Sequence, residues 1–438
     1  MAATRRPVRL SRWSMCLAWS SSGSPPKPAA SRCPSNSFFA MTSLVRLFAL
    51  LVATATLASA ANWRVTVPAA EVDRAAVVVS FPMPAAASRN AIVNGRAGTF
   101  SVQVDDGGTA RFVLPHIKAG ESPVLTLRPV DFYSTDVASV AADGRVKLTV
   151  RGKPVLDYWT REEPLPNDRV DKKFLRSGHI HPVHSPAGTV ITGSYPADHL
   201  HHHGIWAPWT KTQFQGRAPD FWNMGQLTGK VEFAELVRIW SGPVHGGWVA
   251  MQRQIDLSAP SPVTALNETW EVTVYEVTAT VTPMRVFDLV ITQTCATPDP
   301  LILPEYRYGG LGFRGHDGWN GKDNATFLTS EGETDRVKGN TSRARWVHIG
   351  GRSDGALAGV GILGHPENFR APEPLRLHPT EPFVCFAPSQ LGEFRIEPGK
   401  PHVMRYRFVV TDGPADGALL EACWQAYAKP AVATLSAE

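Results

Sequence analysis

Between Leu266 and Tyr275 the chain alternates strictly. Leu266, Glu268, Trp270, Val272 and Val274 fall on one side, and Asn267, Thr269, Glu271, Thr273 and Tyr275 on the other. A period of two places successive side chains on opposite faces, which fits a half-buried antiparallel strand and no helix. The pattern recurs in 285–294, and again in 403–410, where Met404, Tyr406, Phe408 and Val410 alternate with Val403, Arg405, Arg407 and Val409. Turn signals at Asp106-Gly107-Gly108, Gly350-Gly351 and Pro398-Gly399 punctuate these runs. Only 416–428 has a helical pattern, and Pro430 ends it. The expected class is therefore all-β: a large antiparallel β-sandwich with a short C-terminal helix. Short β-like runs at 63–67, 76–80 and 124–127 suit a small sandwich. Residues 61–135 are thus read as a small N-terminal β domain and 136–438 as the large one. The polar stretch from Arg161 to Lys173 reads as a long surface loop.

The charge distribution bears on partners. The 438 residues hold 44 Lys+Arg against 39 Asp+Glu, but seven basic and no acidic residues lie in the first sixty. The remainder carries 37 basic and 39 acidic residues, so the basic excess is no argument for nucleic acid. Met41 opens a stretch with Arg46, the largely apolar run Leu47 to Leu57, and a small-x-small site at Ala58-Ser59-Ala60. That is the layout of a secretory signal peptide. Residues 1–40 are read as a leader outside the fold and 41–60 as the signal, giving an exported protein, periplasmic or extracellular. No later segment has 18 consecutive apolar residues, so no membrane span is expected. Cys295, Cys385 and Cys423 have no metal-type spacing and read as small buried hydrophobes.

Histidine carries most of the functional information. Seven of the 14 lie within 25 residues: His179, His181, His184, His199, His201, His202 and His203. In an extended segment His199, His201 and His203 would share one face, with His202 on the other. Imidazoles this dense suit proton transfer or metal ligation, although the spacing matches no standard zinc signature and no HExxH occurs. His181, His202 and His203 are the candidate catalytic imidazoles, and His199 and His201 candidate ligands for a divalent metal.

Three further stretches could face this block. Pro304 to Arg314 offers Glu305 as an acid/base carboxylate, Arg307 to orient substrate, Tyr308 and Arg314, with Asp317 just beyond. Trp206, Trp209, Trp222 and Asn223 supply aromatic and amide groups suited to sugar rings, or else belong to the core. Gly364 to Arg370 is a polar loop. Paired carboxylates, Glu305 with Asp317 or Asp198, would permit glycoside hydrolysis. Gly351-Arg352-Ser353-Asp354-Gly355 matches a nucleophile elbow by letter, but a strand-like run follows it, so it reads as a turn.

Arg176 to Pro186, His199 to Trp206, Tyr308 to Gly315 and Gly364 to Arg370 together resemble the bacterial PmoA-like family, catalogued as "methane oxygenase PmoA". The resemblance runs from about Val65 to the C-terminus. Leu200 stands where that family commonly has proline, and His203 where arginine is frequent. The resemblance implies an exported protein with a galactose-mutarotase-like supersandwich, and its label implies a copper- or zinc-binding oxidoreductase. Three functions follow as expectations. The first is a carbohydrate-active hydrolase, lyase or epimerase acting on a small molecule or glycan fragment by His/Glu acid–base chemistry. The second is the metal oxidoreductase of the label, and the third a non-catalytic sugar-binding sandwich.

Overall fold

The computed structural model describes residues 63–437, apart from 86, 132, 133 and 278–281. The readings of 1–40 and 41–60 lie outside these residues. The described chain is mostly β-strand, arranged in three eight-stranded sheets and a two-stranded one.

The large unit is two antiparallel sheets packed face to face. One runs, in spatial order, through Gly229–Trp240, His245–Asp256, Val263–Tyr275, Met284–Cys295, His402–Asp412, Ala356–Gly364, Trp346–Ser353 and Ala325–Thr329. The alternation at 266–275 translates directly into burial: Leu266, Trp270, Val272 and Val274 are fully buried and Glu268 is 2% exposed. Glu268 is tolerated inside because Gln254, Gln293 and Trp270 all donate to its carboxylate. The facing sheet runs through Leu375–Leu377, Phe383–Phe386, Gly312–Arg314, Ile205–Trp206, Ile180–Val183, Lys153–Trp159, Arg145–Val150 and Val137–Ala142. Tyr158, Ile180, Ile205, Phe313, Val384 and Leu377 pair in one row across it. They point into the shared core with Trp248, Trp270 and Phe287. Each fully buried Phe or Leu stabilises by roughly 1.5–3 kcal/mol, so a core of this extent needs no disulfide. Cys295, Cys385 and Cys423 are free.

The small sandwich differs from the expected 61–135 boundary. Its sheet order places Arg74–Pro82, Thr109–Ile117, Gly98–Val104, Ala91–Gly95, Val124–Pro129 and Trp63–Thr66 side by side, and two C-terminal strands close its edges. Ala431–Val432 pairs in parallel with Arg74–Pro82, and Thr434–Ala437 antiparallel with Trp63–Thr66. The helix Gly417–Ala428, capped by the Asp416 side chain on Leu419 N–H, carries the chain back to it. Gly351–Gly355 lies at a hairpin turn, where Ser353 pairs with Ala356 and Asp354 and Gly355 take positive φ. Among the described residues no helix is long and apolar enough to cross a membrane.

The loop from Gly364 is tied to its neighbouring strand through a buried carboxyl. Glu373 is 3% exposed; Tyr406 Oη donates to one oxygen and Asn368 Nδ2 to the other, both at 2.9 Å. Burial pushes it up from 4.5 to about 7 despite these bonds. Its contribution to stability is therefore complete below its unfolded value and is lost as pH rises through about 7. Buried His348 and His402, pushed down to about 4, act oppositely: stability falls as pH drops from 6.5 toward 4. In thermal melts between about pH 5 and 8, Glu373→Gln should lose less stability than the wild type toward the alkaline end. Parallel profiles would show that the Glu373 carboxyl does not take up a proton in this range.

Candidate functional site

The pocket forms on the outer face of the second large sheet, one step along from its apolar row. In that row His181, Gly204, Arg314 and Phe383 follow one another across neighbouring strands. Gly204 is needed because a Cβ there would run into the carbonyl of Ile180 and the side chain of His181. A separate apolar layer on this face, Trp206, Trp222, Phe383, Cys385 and Ala387 with Tyr308 against it, supports the polar groups. Gly312 allows it, since a Cβ would strike the indoles of Trp222 and Trp206.

The histidines divide into two groups. The segment before Gly204 is turned rather than extended: His199 N–H bonds Pro196 O at 3.0 Å and His202 N–H bonds His199 O at 2.9 Å. The expected alternation of faces is therefore corrected. His199, His201 and His202 line one pocket together, and His203 turns away from it. His203, fully buried, joins His179, His181 and Glu163. Glu163 lies in the stretch read as a surface loop, yet is 8% exposed. His179 Nε2 lies 2.8 Å from its carboxylate, the Ser194 hydroxyl donates to the same oxygen, and His181 Nε2 is 4.0 Å from the other. Burial works to raise Glu163, but the bonds from His179 and Ser194 and the nearby imidazoles outweigh it and hold it below its ordinary value. Burial pushes His181 down to about 4 and His203 well below its usual range. Thr192 Oγ1 accepts Val183 N–H and is hydrogen-bonded to His181 Nδ1, 2.9 Å away. This group is an interior network of neutral imidazoles around one carboxylate.

The pocket has a volume of about 130 Å³ and is lined by His199, His201, His202, His378, Glu381, Arg307, Arg376, Trp222, Asn223, Tyr308 and Phe383. Beneath it Arg314 is fully buried and holds Glu381 at 3.0 Å, Asp198 at 3.0 Å and Asn320 at 2.9 Å, with His202 Nδ1 at 3.3 Å. The second oxygen of Glu381 lies 3.2 Å from His199 Nδ1 and 3.5 Å from His378 Nε2. His378 Nδ1 accepts the N–H of Glu381 at 3.1 Å, so its proton sits on Nε2, facing that oxygen. Burial pushes His201 and His378 to about 4 and His202 well below its usual range, and it raises Glu381. Phe383 stacks on His202 at 5.0 Å between ring centroids. The buried Trp222 Nε1 meets no acceptor among the described residues. Donor atoms of His199, His202 and Glu381 lie within 4.8 Å of one another, as do those of Glu163, His179 and His203.

Of the residues singled out from sequence, the pocket gathers His199, His201, His202, Trp222, Asn223, Arg307 and Tyr308. Tyr308 Oη donates to Asn223 Oδ1 at 3.4 Å, and Asp220 anchors the turn carrying Asn223. Trp206 and Arg314 lie fully buried outside the pocket lining. His181 and His203 belong to the interior network. Glu305 is exposed and outside the pocket, as is Asp317, which starts a short 3-10 turn. Trp209 is in the main core, its Nε1 donating to Gln293. Gly364 to Arg370 lies elsewhere, with Gly364, His365 and Pro366 lining a separate, more apolar cavity. Sequence reasoning missed Glu163, Arg376, His378 and Glu381. Only the His378-x-x-Glu381 spacing ahead of Phe383–Phe386 offered a signal.

Fold and site together define a β-sandwich protein with an imidazole–carboxylate pocket on the outer face of one sheet. The chain belongs to the family described as a family of unknown function (DUF6807), whose model matches residues 145–425. No curated protein matches the sequence. Among solved structures, a galactose mutarotase related enzyme from Lactobacillus acidophilus is similar at 9% identity, covering 64% of this chain and 97% of that one, with a TM-score of 0.23.

Removing the guanidinium under the pocket should be costly, because it leaves Glu381 and Asp198 without their cation. Arg314→Met is expected to lose about 3 kcal/mol or more in urea unfolding. Arg314→Lys should recover only part, since an ammonium cannot reach three partners in a fork. A neutral result for Arg314→Met would remove Arg314 as the anchor of the site.

Proposed function

We propose that this chain is an exported enzyme that moves protons on a small hydroxyl-rich substrate of the carbohydrate class. The observation that carries the reading is Glu381: one oxygen is held by Arg314, and the other faces His199 and His378 beside His202. Burial raises the carboxyl while it keeps His201, His202 and His378 neutral near pH 7. A carboxyl raised above its ordinary value beside free-base imidazoles is suited to pass a proton in either direction. Arg307 and Arg376 supply cationic donors to a carboxylate or hydroxyls, and Trp222, Tyr308 and Phe383 supply an apolar wall. Glu381 is the one carboxylate among the pocket-lining residues. That favours proton abstraction and return, as in an epimerase or lyase, over hydrolysis by two carboxylates. Export rests on the Met41 to Ala60 layout in the sequence.

The test is solvent deuterium incorporation, followed by NMR, into a panel of aldoses, uronic acids and short glycan fragments. His202→Ala and Glu381→Gln should each slow exchange by about 10²-fold or more, and Glu305→Gln should leave it unchanged. Full activity in both pocket variants would overturn the assignment.

A second reading is a divalent-metal oxidoreductase, in line with the resemblance to the methane oxygenase label. It is favoured by the convergent donors of His199, His202 and Glu381. Arg314 donates to His202 Nδ1, so the neutral ring carries its proton on Nε2 and would have to release it to ligate a metal there. Elemental analysis of protein expressed with export should then find about one transition-metal ion per chain, lost in His199→Ala. A chain without copper, zinc or iron would end this reading.

A further inference from the structure

A cleft of about 820 Å³ lies between the small sandwich and the outward face of the first large sheet. Its floor comes from three neighbouring strands, Gly229–Trp240, His245–Asp256 and Val263–Tyr275, and its wall from the turn after Gly98–Val104. It shares no lining residue with the Glu381 pocket. The volume is in the range of ligand clefts, roughly 300–1,000 Å³.

One side chain in it is held as if for a ligand. Gln103, from the small sandwich, accepts the backbone N–H groups of Val244 and His245 at 3.1 and 2.9 Å. Gly242 permits this approach, since a Cβ there would overlap the Gln103 amide. His245 is thereby fixed in position, and Trp240 Nε1 donates to its Nδ1 at 3.0 Å. The neutral ring, kept so by burial, must then carry its proton on Nε2. His245 is 7% exposed, and that Nε2 meets no partner among the described residues. A buried donor without an acceptor is destabilising, and an acceptor atom from a ligand would relieve it.

The surroundings say which ligand. Asp105 is committed to Arg111 at 2.6 Å and to Thr109 N–H, and Arg238 lies 4.7 Å from the Trp240 ring centroid. Asp106 and Glu271 are exposed carboxylates in the same cleft. Charges of both signs beside an indole fit neutral hydroxyls, which both donate and accept, better than a polyanion or polycation. An extended peptide would call for strand pairing or apolar side-chain pockets, and Val104 and Ile239 are the only aliphatic residues in the lining. We infer that this cleft binds a neutral oligosaccharide, with a sugar oxygen accepting from His245 Nε2 and a pyranose ring packed beside Trp240. The site does not rest on the catalytic reading, because binding is measured without turnover.

Isothermal titration of the chain with cellohexaose, xylohexaose, mannohexaose and laminarihexaose tests it. At least one should bind saturably. Trp240→Ala and Glu271→Arg should each weaken that binding by about tenfold or more, and Glu381→Gln should retain it. Circular dichroism checks that Trp240→Ala folds; Glu271→Arg, at an exposed strand position, decides the matter alone if it does not. Failure of all four to bind, or binding that survives the cleft variants, overturns the inference.

Discussion

A guanidinium cut off from water has to be surrounded by acceptors, and Arg314 is such a group. Its strand, Gly312–Arg314, lies between Ile205–Trp206 and Phe383–Phe386, so its side chain emerges where the histidine segment and the Glu381 loop meet. By holding Glu381, Asp198 and Asn320 at about the same distance it fixes three loops against one strand. The direction of the free Glu381 oxygen, and with it the meeting of His199 and His378, follows from that grip. The pocket is thus a consequence of charge compensation at one buried residue.

The imidazoles gain their chemical character from the same burial. An exposed histidine would titrate near neutrality, whereas His201 and His378 are pushed to about 4. The interior group around Glu163 solves a different problem, burying one carboxylate by giving it an imidazole and a hydroxyl. Consecutive residues, His202 and His203, therefore serve unlike surroundings.

What could be read from sequence was set by local periodicity. The alternation at 266–275 conveyed both the strand and its buried face, and even Glu268 lies on the side the pattern assigned. The crowd of histidines was visible as composition, but the two turns that redirect His199 to His202 were not, because an extended reading assumes away the Pro196 and His199 carbonyl bonds. The carboxylates were hidden for another reason. Glu381 is 67 residues from Arg314 and reaches it only through the pairing of Arg314 with Phe383, a long-range register that no short motif encodes. Glu305, close to the same arginine in sequence, was the natural choice and projects to the surface instead.

The edge strands of the small sandwich have a bearing on how the chain is assembled. Trp63–Thr66 and Arg74–Pro82 find their outer partners in residues more than 350 positions later. During synthesis from the N-terminus, the small sandwich must wait with both flanks open while the two large sheets form between its halves. Those open flanks are templates for wrong pairing until the C-terminal strands arrive. Ala431–Val432 and Thr434–Ala437 thus act as a seal, applied only after both large sheets have been made.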